Sequence, residues 1–230
     1  MKNIKPIYVM NQKGLPDFEK KAVLDGVSEL LELANVGDIK IYDGGAWRHE
    51  GYLDKNNELK KFHSVDWYLE VGKKESRNKN QLNADSMQRV LALEPWRYPH
   101  LGGENHYDIF IINDDMYSKG TNFVIGIAQQ KIGTIISTYQ FKKLRGDWGM
   151  KYDYIKTETM HELGHVFGLP SKSRTRNIEE SLGKHCTNIC VMRQGLILPD
   201  DWIRMTNDRL KSGGALCRDC RKDLRDFFGG

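Results

Sequence analysis

DYIKTETMHELGHVFGLP, residues 153–170, decides how the chain is read. Asp153 suits a helix N-cap, Gly168 suits the turn that follows a helix, and Pro170 forbids continuation, so the spacing predicts a helix over 154–167. Inside it, His161 and His165 are four residues apart. That spacing puts both imidazoles on one face, about a turn from each other, where they can reach one ion. Glu162 lies beside the first without being placed to ligate. This is the HExxH arrangement, in which two histidines hold zinc and a carboxylate takes a proton from water. A zinc hydrolase also needs a third protein ligand and one open position. The histidine form with a glycine turn would place that ligand at 171, where the chain has Ser171. The next histidine is His185, and the polar stretch SKSRTRNIEESLGK between them reads as an inserted surface loop.

Outward from the helix, the N-terminal part alternates. Residues 4–10 read as a strand, 15–34 as a helix with apolar Phe18, Val23, Val27, Leu30 and Leu31, and 39–42 as a second strand. Strand–helix–strand favours parallel pairing and an α/β sheet. Residues 44–79 are polar and punctuated by glycine, a surface excursion with one short strand at 65–71. A helix is expected at 81–93, and strands at 108–113, 122–128 and 132–138. The sheet-bearing part therefore spans 1–168, and an irregular smaller part, 169–230, follows.

The four cysteines, Cys186, Cys190, Cys217 and Cys220, all lie in that smaller part. Clustered in an otherwise thiol-free chain whose opening MKNIKPIYVMNQKG reads as too brief an apolar stretch for a secretory core, they are expected to bind a metal rather than form disulfides. Two short-spaced pairs are what a tetrahedral thiolate site needs. Such a site would pin down a segment poor in apolar residues.

Together, His161, Glu162, His165, Gly168, His185, Cys186, Cys190, Met192, Cys217 and Cys220 resemble the archaemetzincins, a branch of the metzincin metallopeptidases. The upstream stretches DIFIINDDMY, NFVIGIA and IISTYQF are similar to the strand region before that family's zinc helix. Three spacings depart from the pattern. His185 comes fourteen residues late, Cys186 and Cys190 have three residues between them rather than four, and Met192 to Cys217 is longer than usual.

The resemblance implies a metzincin-like fold, a mixed and mostly parallel twisted sheet with an active-site helix and a small zinc-stapled C-terminal part. It implies two zinc ions, a catalytic one on His161, His165 and His185 and a structural one on the four cysteines. It also implies Met192 in a turn beneath the catalytic zinc, Glu162 as general base, and a substrate-binding edge at Gly126, Ile127 and Ala128. The substrate would be a peptide or protein, cleaved as an endo- or aminopeptidase. His49, His63, His100 and His106 are expected to be surface or structural residues, with His106 the first candidate among them to replace His185 as third ligand. The loop 171–184 would either flank the cleft and select substrate or be a solvated decoration.

Composition sets the remaining limits. The chain has 230 residues and a net charge of +4, with 35 basic against 31 acidic side chains. No apolar run approaches the roughly 18 residues of a membrane span, so a cytoplasmic monomer without a membrane or nucleic-acid partner is expected. A zinc-stapled nucleic-acid module fits poorly, because residues 200–226 carry seven basic and six acidic side chains and form no basic patch. A metzincin scaffold that binds peptide without efficient hydrolysis is the other alternative. Intact Glu162 argues against it.

Overall fold

The computed structural model describes residues 3–46, 64–94, 97, 104–144, 146–211 and 214–229, together with the backbone of 52–53 and 59–60. The N-terminal half runs β1 (Ile7–Asn11), α1 (Asp17–Leu33), β2 (Ile41–Gly45), β3 (Tyr52–Leu53), β4 (Leu59–Lys60), α2 (Val65–Lys74), β5 (Leu82–Asn83) and α3 (Ala84–Ala92). It continues through β6 (Tyr107–Ile112), β7 (Met116–Tyr117), β8 (Gly126–Gln129), β9 (Gly133–Ser137) and α4 (Trp148–Val166). The C-terminal part holds β10 (Ile178–Glu179), β11 (His185–Cys186), α5 (Asp200–Lys211) and α6 (Arg218–Phe228).

Five strands form the main sheet in the order β2-β1-β6-β9-β8, parallel except for β8, which returns antiparallel to β9. Residues of β6 are buried on both faces, and their alternation builds two cores. Ile109 and Ile111 join Ile7, Val9 and Ile136 against α1 and α4, while Phe110 and Ile112 join Met10 and Ile135 against α2 and α3. The sheet is thus sandwiched, and α4 carries His161, Glu162 and His165 beside its β8 edge.

Three elements differ from the sequence reading. Residues 65–71 form a helix, α2, rather than a strand. Ser64 accepts from the Trp67 N–H as an N-cap, and Val65, Tyr68 and Gly72 make the buried stripe. Helix α4 starts at Trp148 because Asp147, not Asp153, caps it by accepting from the Met150 N–H at 2.9 Å. Its first turns expose Trp148 and Met150, which hides them from a search for an apolar stripe. Of the expected strand at 122–128 only residues 126–128 pair regularly, and the strand, Gly126–Gln129, runs one residue further.

The chain after residue 168 is more regular than its composition suggests. Trp202, Met205, Leu224 and Phe228 join the same core as Val27, Leu163 and Phe167, so one apolar cluster crosses residue 168. Phe228 packs edge-on to Phe167 with ring centroids 4.9 Å apart. No helix among the described residues is long and apolar enough to cross a membrane.

Candidate metal centre and cleft

Helix α4 ends in a left-handed turn at Gly168, φ +78°. The Gly168 N–H donates to His165 O at 2.9 Å and the Leu169 N–H to Gly164 O at 2.9 Å, a Schellman closure. The closure brings Leu169 O to within 2.8 Å of His165 Nδ1. Val191 O lies 2.7 Å from His161 Nδ1. These carbonyls can only accept, so each ring carries its proton on Nδ1 and turns a lone pair inward from Nε2.

His185 completes the group. The insertion folds back as a hairpin in which β10 pairs antiparallel with β11, Ile178 opposite Cys186 and Glu179 opposite His185. Its return strand delivers His185 to the other two rings, so fourteen additional residues cost little once their ends meet. His165 Nε2 lies 3.2 Å from both His161 Nε2 and His185 Nε2. Lone pairs facing each other at that distance repel unless a cation sits among them. Tetrahedral zinc with bonds of about 2.0–2.1 Å requires nitrogens about 3.3 Å apart, and the rings fit that requirement. Burial, and then the His185 charge, push His161 down to about 3. His165 falls well below its ordinary value from burial first and then from His161 and His185. Burial also lowers His185. All three are therefore neutral at pH 7, as metal ligation demands.

The four cysteines likewise offer sulfurs all within 4.8 Å of one another. Cys186 Sγ and Cys217 Sγ are 3.7 Å apart, far beyond a disulfide bond and close to the roughly 3.8 Å edge of a tetrahedron with 2.3 Å Zn–S bonds. The Cys190 thiol beside it holds Cys186 down to about 7. The Cys186 N–H donates to Met192 O at 2.7 Å, which ties this centre to the turn below the histidines. Met192 Sδ packs against Gly164 so closely that a Cβ there would lie 2.4 Å from it. The glycine inside HELGH thus makes room for the methionine.

A cleft of about 750 Å³ opens over the three imidazoles. One wall is β8 with the segment before it, and the other is formed by Leu182–His185, Gln194–Leu196 and Trp202. The expected edge residues Gly126, Ile127 and Ala128 do lie on the last strand of the sheet. A methyl group on Gly126 would sit 2.3 Å from Glu162 Cγ, which places the strand directly against that carboxylate. Of the remaining histidines, His106 is buried away from the cleft lining. Its Nε2 lies 3.2 Å from Asp108 and 3.4 Å from Glu94, whose carboxylates are also engaged by Arg97 and Tyr68. His49, His63 and His100 lie outside the described residues.

Sequence reasoning missed Glu158. It stands one turn before Glu162 on the same helical face, a spacing that could have pointed to it. Its carboxylate is buried and accepts from Trp202 Nε1 at 2.8 Å. Burial raises it to about 7 against the opposing indole hydrogen bond. Glu162 is pushed well above the carboxylate range by burial and then by the Glu158 charge. In the unfolded chain Glu158 ionises near 4.5, so the stability of its neutral form is complete below pH 4.5 and lost as pH rises through 7. At pH 8 the loss is about 3 kcal/mol. Glu158→Gln keeps an acceptor for Trp202 and removes that cost. In metal-stripped protein, thermal melts should show the variant several degrees more stable at pH 8 and nearly unchanged at pH 5. Equal shifts at both would exclude a buried charge as the cause.

No family model matches the chain. Among curated relatives, the archaemetzincin of Nanoarchaeum equitans is 40% identical over 83 residues, 36% of each chain. The crystal structure of archaemetzincin from Methanopyrus kandleri superposes with a TM-score of 0.62 over 99% of this chain and 97% of that one, at 19% identity. The chain is thus similar to archaemetzincins, by sequence over about a third of its length and by fold over nearly all of it. A zinc-dependent peptidase from Methanocorpusculum labreanum shares the fold more loosely, with a TM-score of 0.50 and 19% identity over 95% of this chain and 99% of that one. The sequence match spans only about a third of the length of the Nanoarchaeum archaemetzincin.

Proposed function

We propose that the protein is a zinc-dependent peptide hydrolase of archaemetzincin type. The observation that carries this reading is the convergence of the three Nε2 atoms of His161, His165 and His185 beside Glu162 in the cleft. A zinc ion held there would acidify water, polarise a carbonyl and favour the ionised form of Glu162. Glu162 takes the proton of the attacking water and delivers it to the leaving amine. An extended peptide pairs with the outer edge of β8, which has no strand beside it among the described residues, its scissile carbonyl held above the imidazoles. Backbone pairing of this kind reads main chain more than side chains. The neutral rings of His161 and His165 are kept in register by Val191 O and Leu169 O, and Met192 supports the floor. Cys186, Cys190, Cys217 and Cys220 hold a second, structural zinc.

The test is elemental analysis of chelator-rinsed protein followed by peptide-library cleavage. Two zinc equivalents per chain are expected, with cleavage lost on stripping and regained on adding zinc. One equivalent with no cleavage would make the protein a scaffold instead.

A further inference from the structure

Arg174 lies in the inserted loop, yet its side chain is only 8% exposed. All five of its N–H groups have an acceptor. Nη2 donates to Cys186 Sγ at 2.9 Å and to Asn177 O at 3.0 Å. Nη1 donates to Cys220 Sγ at 3.2 Å and to Asp223 Oδ2 at 3.1 Å, and Nε donates to Arg176 O at 3.0 Å. One guanidinium therefore bridges a sulfur from each cysteine pair. Its own loop is braced around it, since Lys184 Nζ reaches Lys172 O at 3.0 Å and Arg174 O at 2.6 Å. Asp223 Oδ2 also accepts from the Ser171 N–H at 2.9 Å, so the same carboxylate pins the start of the insertion.

Four thiolates around a divalent ion carry a net charge of −2 in a largely buried place. A fixed cation donating to two of the sulfurs offsets part of that charge and withdraws electron density from them, which disfavours protonation and loss of the metal. Lysine could supply the charge but not the planar fork. Cys186 is also the neighbour of His185, so what fixes one strand end fixes the other.

We propose that Arg174 is a positioning residue through which the inserted hairpin docks onto the four-cysteine centre, stabilising its metal and thereby holding the strand that presents His185. The insertion is then neither a free gate nor a decoration but a clamp between the two centres. This inference rests on the two-metal reading above.

The experiment compares wild type, Arg174→Gln, Arg174→Lys and Asp223→Asn. The readouts are the rate of zinc release to a chromophoric chelator, the sulfur-to-metal charge-transfer band of cobalt-substituted protein, and hydrogen exchange of residues 178–186. The expected result for Arg174→Gln is release faster by about tenfold to a hundredfold, a band moved to longer wavelength, and loss of protection in the hairpin. Arg174→Lys should fall between that variant and wild type. Asp223→Asn keeps the charge and loosens its aim, so it should show a smaller change in the same direction and serves if Arg174→Gln fails to fold. Cobalt bound to thiolates in every variant, with release and band unchanged, would overturn the role of Arg174 alone. A wild-type protein without thiolate-bound metal would overturn both this inference and the two-zinc reading.

Discussion

Glu162→Gln should lower peptide hydrolysis by about 10²–10⁴-fold and leave two zinc equivalents in place. The side chain is buried at the cleft beneath β8, with Gly126 against its Cγ, so the amide occupies the same space. What disappears is the ability to accept a proton from water. Burial and the charge of Glu158 both oppose ionisation of Glu162 and so raise its affinity for a proton, while a cation nearby would offset them and keep the carboxylate ionised, ready to accept one. Retained metal with retained turnover would remove Glu162 from the mechanism. Loss of metal together with turnover would show a structural fault instead.

His185→Ala should lower the zinc content from two equivalents to one and abolish cleavage. Two imidazoles on one helix face leave the ion without its third protein ligand, and among the described residues no fourth His, Cys, Asp or Glu joins that group. Ser171, which stands where the shorter pattern would put a histidine, donates its N–H to Asp223 and pairs its hydroxyl with Ser173. The remaining equivalent should stay on the cysteines, because Cys186 keeps its backbone bond to Met192 O and its contact with Arg174. Alkylation of the four thiols before and after metal removal distinguishes the sites. A variant that still binds two ions would show that His185 is not a ligand.

The long insertion is where sequence and structure met most usefully. As a string, residues 171–184 are a polar tract with Lys172, Arg174, Arg176 and Lys184 against Glu179 and Glu180, and nothing in it announces pairing. The hairpin arises because Ile178 can face Cys186 across two short strands, while Leu182 and Gly183 turn the chain through positive φ. Arg174 acquires its sulfur partners only when the segments bearing Cys186 and Cys220 come together. Trp202 and Glu158 are alike in this respect, 44 residues apart and meaningful only as a pair.

What the sequence determined by itself was the local chemistry and the elements that bear it. The four-residue histidine spacing, the glycine that ends the helix and the paired cysteines each follow from short-range periodicity and residue type. The buried run Ile109–Ile112 of β6 followed in the same way, since a strand covered on both faces reads as a near-continuous apolar run. Tertiary structure alone decided the rest. Asp147 rather than Asp153 caps α4 by accepting from the Met150 N–H, and the exposed first turns follow no apolar stripe that would have revealed it. The C-terminal helices α5 and α6 gained their stability by burying Trp202, Leu224 and Phe228 against elements far earlier in the chain. Arrival of His185 beside the helix, and the shifts that lower the histidines and raise Glu158 and Glu162, depend on burial and on charges brought together by the fold. Neither quantity exists until the chain has folded.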